Sequence, residues 1–172
     1  MRVALGLAFA SLPLGLAAQT VKVDFDHDVD FSRYKAYSWS VTQEPASNPA
    51  NHLRLTRAIE RELVEKGLQK DAAGEPSVRV RYYSKIDKKL RASGYQEEDT
   101  AHPNNLRTRV DLSRIKQGTL IVELSDGESS DVVWRGVATD VAPRPDLVAE
   151  AIDAWTKKIF LQFPPPPPPP KP

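Results

Sequence analysis

Five segments of the chain predict β-strands, because apolar and polar residues alternate in them or aromatic and β-branched residues are concentrated there. They are residues 21–25, 37–41, 78–83, 119–124 and 132–138. A turn sequence at Asp126 and Gly127 joins the last two segments, and this arrangement predicts a hairpin. On that hairpin we expect Arg135 to pair with a carboxylate such as Glu123 on the partner strand.

Two other segments repeat apolar residues every three or four positions, which predicts amphipathic helices. The first apolar stripe consists of Leu55, Ala58, Ile59 and Leu63. Gly67 and Leu68 then predict a left-handed cap with a hydrophobic contact just beyond the helix. The second stripe consists of Val148, Ala151, Ile152, Trp155, Ile159 and Phe163. Asp146 is placed to cap the start of this helix, and Pro164 is placed to end it.

Two stretches lack either periodicity. Residues 45–51 are rich in Pro, Asn and Ser and predict a loop. Residues 87–116 are polar, contain Gly94 and Pro103, and are long for a loop in a compact domain. They predict either a mobile loop or extended ends of the neighbouring strands, such as residues 106–115.

The order of these elements predicts an α+β fold, since the strands do not alternate one for one with helices. We expect a mostly antiparallel β-sheet with two amphipathic helices packed on one face. Of the 172 residues, 20–163 form a single domain of ordinary size in this interpretation.

The two ends of the chain have their own character. Residues 1–18 have a basic start at Arg2, an apolar centre and small residues near Ala18, which predicts a removable secretory signal peptide. The apolar part is too short for a stable membrane span, so we expect no transmembrane span in the mature chain. This predicts an exported protein of the periplasm or cell envelope. Residues 164–172 form a polyproline tail, which is either a stiff spacer or a ligand for another envelope component.

Composition excludes several classes of protein. The net charge is +1, which gives no support to a nucleic-acid partner. The chain has no Cys, so disulfides, thiolate zinc sites, thiol nucleophiles and lipid attachment through Cys are excluded. The three histidines, His27, His52 and His102, lie in polar, loop-like contexts without a catalytic or zinc motif. We therefore predict no catalytic residues, no cofactor and no enzymatic activity.

A run of alternating carboxylates offers a weak metal-site candidate. Asp24, Asp26 and Asp28, followed by Asp30, would point to one side of a strand. The first three match the start of a calcium loop, but Val29 replaces its glycine and Lys35 its final glutamate. The alternatives are a solvated strand face with Asp-rich turn chemistry, or a weak cation site.

Charged and aromatic residues elsewhere have structural and functional interpretations. The basic segment consists of Arg79, Arg81, Lys85, Lys88, Lys89 and Arg91. It is either a solvated strand face or a surface for an anionic glycan or lipid headgroup. Trp39 and Trp134 are either core residues or a stacking pair for a ligand.

Several segments resemble, in order, the elements of one protein family. Residues 24–39 are similar to the opening of the bacterial envelope (lipo)proteins that carry domain of unknown function 4136. Further similarities are the helix that ends in Lys66-Gly67, the strands with Gly118-Thr119-Leu120 and Trp134-Arg135-Gly136, and the ending Phe163-Pro164. The resemblance implies an envelope location and a compact α+β domain, and no known reaction. Many members have a lipoprotein Cys after the signal, and this chain departs from them.

Taken with the signal segment, these features predict a non-enzymatic domain that binds or scaffolds an envelope protein or a cell-wall component. The alternative is a carrier of a small ligand or cation, which would use a groove between the sheet and residues 87–116. The sequence leaves the oligomeric state open.

Overall fold

The structure is a computed structural model that describes residues 20–42, 44, 46, 48–71, 74–98 and 106–167. The predicted signal peptide, His102 and residues 168–172 of the polyproline tail lie outside the described residues. The side chain of Arg91 is also outside the described part.

Six strands form one sheet in the order β1-β6-β5-β4-β2-β3. Their bounds are β1 Thr20–Phe25, β2 Ala36–Trp39, β3 Gln69–Lys70, β4 Val78–Glu98, β5 Leu106–Asp126 and β6 Val132–Val141. The pairs β1–β6, β6–β5 and β5–β4 are antiparallel, whereas β2 is parallel to both β4 and β3. The α+β class is therefore confirmed, and the sheet is mixed. The parallel pairs arise because the first helix carries the chain across between β2 and its neighbours.

The first helix, α1, spans Pro49–Glu65 and begins earlier than predicted. The Asn48 side chain accepts from two backbone N–H groups of the first turn, and Pro49 has no N–H to satisfy. The loop predicted for residues 45–51 is therefore wrong at its end. The predicted cap is confirmed. Gly67 has a φ of 87° and donates to the Val64 carbonyl at 2.9 Å, and the next N–H donates to Leu63 at 3.0 Å.

The second helix, α2, spans Val148–Phe160. The prediction that Asp146 caps it is wrong, because a short 3₁₀ turn, Pro145–Leu147, precedes the helix and no side chain caps its start. Asp146 forms an ion pair with Arg144 at 3.2 Å instead. The helix ends before Phe163, which is nevertheless buried and packs with its ring centroid 5.4 Å from that of Trp134.

One face of the sheet forms the core. Its fully buried side chains come from the four central strands: Tyr37, Val78, Val80, Tyr82, Leu120, Val122, Leu124, Trp134 and Ala138. Both helices contact this face. Trp39 Nε1 donates to Glu60 Oε1 of α1 at 2.8 Å, and the α2 side chain of Ile159 lies against Gly136. Trp134 is confirmed as a core residue, whereas Trp39 is only partly buried at the edge of the core. β2 ends at Trp39, so the predicted extension to residue 41 is wrong and Val41 is exposed.

The strands β4 and β5 are each 21 residues long and continue as a two-stranded ribbon beyond the other strands. Their pairing is unbroken from Val78↔Asp126 to Glu98↔Leu106. Of the two alternatives for residues 87–116, extended strand ends are therefore confirmed over the described residues. We call residues 86–98 and 106–118 the ribbon.

Candidate functional site

A groove lies where the ribbon leaves the core, between the first turns of α1 and α2 and the paired strands β4 and β5. It has a volume of about 320 Å³ and is lined mainly by apolar groups. The lining includes Leu55, Ile86, Leu120, Pro143, Val148 and Trp155. We call it the base groove. A concave, mainly apolar cavity of this size is the usual form of a small-molecule site.

Gly118 gives the base groove its shape. It pairs with Ile86 at the start of the ribbon, and the indole of Trp155 lies directly against its backbone. A side chain at this position would occupy the space of the indole ring. The glycine that marks the Gly-Thr-Leu strand in the sequence thus allows α2 to approach the sheet closely.

Few polar groups of the base groove are free to hold a ligand. Asn48 Oδ1 caps α1 by accepting from Ala50 at 2.9 Å, and Asn51 Oδ1 accepts from Arg54 at 2.8 Å. Ser84 and Lys85 are exposed at its margin. The chemistry of the groove therefore suits an apolar ligand better than a metal ion.

A His–Tyr contact lies near the base groove. His52 is on α1, not in a loop, and its Nδ1 contacts the hydroxyl of Tyr82. Burial raises the pKa of Tyr82, although the N–H of Ala46, which donates to the same hydroxyl at 3.3 Å, partly opposes the shift. His27 lies elsewhere, with its ring centroid 4.3 Å from that of Phe25. The two described histidines thus contact different residues.

The acidic run is divided between a strand and a turn. Asp24 lies on β1, which ends at Phe25, so the strand alternation expected for the run stops there. Asp26 Oδ1 accepts from the N–H of Asp28 at 2.9 Å, and Asp30 Oδ1 accepts from Ser32 at 2.9 Å. These are contacts of Asp-rich turns. Among the residues that the structure describes, no three His, Asp or Glu side chains are grouped so that they could hold a metal ion.

A buried carboxylate at the opposite end of the sheet was not predicted from the sequence. Asp126 is buried, and its Oδ2 accepts from the Tyr34 hydroxyl at 2.8 Å and from Arg33. Its Oδ1 accepts from the N–H groups of Glu128 at 2.9 Å and Ser129 at 3.1 Å. Burial opposes ionisation, but these donors outweigh it and lower the pKa of Asp126 to about 2. The Asp-Gly turn was the available signal, and it indicated the turn but not the distant tyrosine.

The outer face of the sheet carries a charged row across four strands. Arg81, Glu123, Arg135 and Asp24 are neighbours in register on β4, β5, β6 and β1. Glu123 is buried, and Arg135 Nε donates to its Oε1 at 2.8 Å, which confirms the predicted pair. Arg81 donates to Ser40 Oγ at 3.1 Å.

The basic segment does not form one surface. Arg79 donates to the carbonyl of Gly127, and Lys85 forms an ion pair with Asp87 at 2.9 Å, both on the outer face. Lys88 lies on the other face, because successive strand residues point to opposite sides.

The ribbon has two unpaired edges within the described residues. β2 ends at Trp39, and its last contact with β4 is the N–H of Ser40 on the carbonyl of Val80. On the other side β6 ends at Val141, and the N–H of Ala142 donates to Lys116. Beyond these points the backbone groups at the edges of β4 and β5 are open to another strand. Neither α1 nor α2 has the length and apolar character of a membrane-spanning helix in the described part of the chain.

Comparison with known proteins gives a family and a fold. The family model described as Domain of unknown function (DUF4136) matches residues 21–165. The sequence matches no curated protein.

Several solved structures are similar to this chain at low identity, and those with a TM-score of at least 0.50 share its fold. A PDZ domain protein from Parabacteroides distasonis ATCC 8503 is 18% identical with a TM-score of 0.60. The match covers 86% of this chain but only 36% of that protein, so the chain spans about a third of its length. A single-residue variant of the PelC dodecamer from Paraburkholderia phytofirmans is 11% identical with a TM-score of 0.50, over 83% of this chain and 95% of that one. A DUF4136 family protein from Bacteroides thetaiotaomicron VPI-5482 is 13% identical with a TM-score of 0.48, over 83% and 97%.

Proposed function

The chain belongs to the DUF4136 family, and from that premise we propose that it is an exported cell-envelope domain that binds or scaffolds another envelope component without catalysis. The observation that carries this proposal is the ribbon. It extends by about 40 Å from Ile86 to Glu98, at roughly 3.3 Å per residue. Trp155 of α2 covers only its start at Gly118, and large apolar side chains farther along it, such as Leu90 and Leu112, are exposed in the described residues. A folded domain gains little stability from such an extension, so its value lies in contact with something else.

The ribbon is suited to recognition through its backbone. Both of its edges present N–H and C=O groups that an extended segment can pair with. Binding by strand addition needs only the exposed edge, with side-chain contacts supplying specificity. The edges of a binding domain of this kind would be covered in the complex.

Export is supported by the composition of residues 1–18, which have the basic start, apolar centre and small-residue end of a secretory signal. We expect the mature chain in the periplasm or cell envelope. A fusion of residues 1–25 to a reporter that is active only after export should show reporter activity. The same fusion with Arg2→Glu and with charged residues in the apolar centre should show none.

The proposal contains no catalytic reaction, because the most chemically distinctive polar groups of the described residues have partners within the fold. Asp126 and Glu123, the most chemically distinctive carboxylates, both satisfy neighbouring donors within the fold. His52 contacts a buried tyrosine rather than an exposed nucleophile. Turnover of an envelope substrate by the purified protein, abolished by one pocket substitution, would contradict the proposal.

The test is affinity capture from crosslinked cells with three forms of the chain. The first is intact, the second ends at Phe163, and the third has residues 89–115 replaced by Asn-Gly, a favoured two-residue hairpin turn. We expect the partner to be lost with the ribbon and kept without the tail. Loss with the tail alone would assign binding to the polyproline segment and overturn the role of the ribbon. Light scattering of the same forms shows whether the partner is a second copy.

The base groove favours a second candidate, a carrier of a small apolar ligand. Its volume of about 320 Å³ and apolar lining carry this candidate. A ligand at 100 times its dissociation constant adds about 2.7 kcal/mol to the free energy of unfolding. Extracted envelope lipids should therefore raise the melting temperature of the wild type but not of an Ala151→Trp variant that fills the groove. Equal melting temperatures of the wild type with and without lipids would exclude this candidate.

A further inference from the structure

The side of the ribbon that continues the core face is both apolar and cationic. We call it the ribbon inner face. Its apolar members are Ile86, Leu90, Ala92, Val110 and Leu112, and its cations are Lys88, Arg114 and Lys116. The leucines at 90 and 112 are 71% and 70% exposed. An exposed surface that combines large apolar side chains with positive charge needs a partner of matching character.

The positive charge on this face is not balanced within the described residues. Lys88 lies directly opposite Lys116 in register, an arrangement in which like charges destabilise a sheet. None of the described side chains of the ribbon inner face is acidic. The opposite face differs, because Asp87 pairs with Lys85 there and Asp111 lies opposite Ser93.

From this charge pattern, and resting on the proposed binding role, we infer that the ribbon inner face docks on a bilayer surface that contains anionic phospholipids. The headgroup phosphates would neutralise Lys88, Lys116 and Arg114. The apolar side chains between them would enter the boundary between headgroups and acyl chains, as the apolar face of an interfacial helix does.

Other partners fit the same face less well. Two copies of the chain placed face to face would bring their lysines and arginines together, which opposes association. A soluble acidic polymer could neutralise the cations but would leave Leu90 and Leu112 in water. Only an anionic amphiphile satisfies both kinds of side chain.

The test is sedimentation of the full chain with vesicles of phosphatidylglycerol and phosphatidylcholine, and with phosphatidylcholine vesicles alone. Every variant is purified from cells in the same way. All of them then have the same N-terminus, which contributes equally to vesicle binding. We expect binding to the mixed vesicles. The K88Q/K116Q variant should lower the partition coefficient about 25-fold, because each cation near an anionic surface contributes about 1 kcal/mol, or about fivefold.

Two variants make the result specific. K85Q/K89Q removes the same charge from the opposite face of β4, at one position just before the ribbon and one within it, and should have a smaller effect, because these cations lie farther from the bilayer. L90S/L112S keeps the charge and should also weaken binding. An equal loss from both lysine pairs, or full binding by L90S/L112S, would overturn the inference and point to general charge attraction. Circular dichroism checks that each exposed substitution leaves the fold intact.

The lipid inference and the proposed function can fail independently of each other. If the wild type does not sediment with anionic vesicles while the ribbon deletion still abolishes capture of an envelope component, the lipid inference is overturned and the binding role stands. If the ribbon deletion changes neither capture nor sedimentation, both fail.

Discussion

The indole of Trp155 lies against the backbone of Gly118, at the point where β5 enters the ribbon. A Cβ at this glycine would overlap Cη2 of Trp155, at a separation that folded proteins do not show. The contact joins the last helix to the sheet and closes one side of the base groove.

Gly118→Ala should therefore destabilise the domain by about 1–3 kcal/mol, the usual cost of inserting a methyl group into a packed interface. The measurement is the free energy of unfolding from urea titration, followed by Trp fluorescence. Thr119→Ala, one position along on the opposite face, is the matched control and should cost less than about 1 kcal/mol.

A double variant tests whether the indole is the cause. Trp155→Leu removes the indole ring that the new methyl group would meet. The double variant should therefore lose less free energy of unfolding than the sum of the losses of the two single variants. Strict additivity of the two costs would show that the two residues do not meet in solution.

This contact shows what the sequence could and could not predict. The helix stripe that includes Trp155 and the strand that starts one residue after Gly118 were both predictable, because each follows from a local period. Their meeting was not, because the residues are separated along the chain and nothing local specifies which glycine a helix covers.

Asp126 provides a prediction about pH. Its pKa is lowered to about 2, against an ordinary value of 3.8. Because the folded state favours the ionised form, the resulting stability is fully present above about pH 4 and is lost as the pH falls to about 2. A shift of nearly two units corresponds to about 2 kcal/mol. Asp126→Asn should thus lower the free energy of unfolding by about this amount at pH 7.

The difference between wild type and this variant should shrink as the pH approaches 2, which urea unfolding at a series of pH values would measure. Asp131→Asn, an exposed carboxylate of the same turn, is the control for loss of charge alone. A difference that stays constant from pH 7 to 2 would show that the carboxylate of Asp126 is not preferentially ionised by the fold.

The surroundings of Asp126 were only half predictable. The turn contacts of its Oδ1 follow from the Asp-Gly sequence, since Asp accepts from N–H groups two or three residues on. The contact of Oδ2 with Tyr34 depends on the whole sheet, because β2 and its preceding turn reach this end through non-local pairs. The parallel position of β2 was missed for the same reason.

Arg135 and Glu123 supply a third prediction. Glu123 is buried and Arg135 is about half exposed. Removing the arginine therefore leaves a buried carboxylate without this cationic partner, although water can still reach it. Arg135→Ala should cost about 1–3 kcal/mol. Adding Glu123→Gln to it should recover part of the loss, because the remaining side chain is then neutral. Urea unfolding of the four members of this cycle gives the coupling energy, and a coupling near zero would contradict a stabilising pair.

The ribbon supplies the last prediction, because it should be dispensable for folding. Its leucines at 90 and 112 are largely exposed, and within the described part of residues 89–115 the two strands pair only with each other. Replacing residues 89–115 by Asn-Gly should change the free energy of unfolding by less than about 1 kcal/mol, since surface changes away from the core are nearly neutral.

Replacing α1, which contributes Ile59 and Leu63 to the core, by a flexible linker of the same length should prevent folding. Thermal unfolding of the shortened chain is the measurement. A large loss of stability would mean that the ribbon supports the core, and the binding experiments on the deletion would then have to rely on point variants of the ribbon inner face.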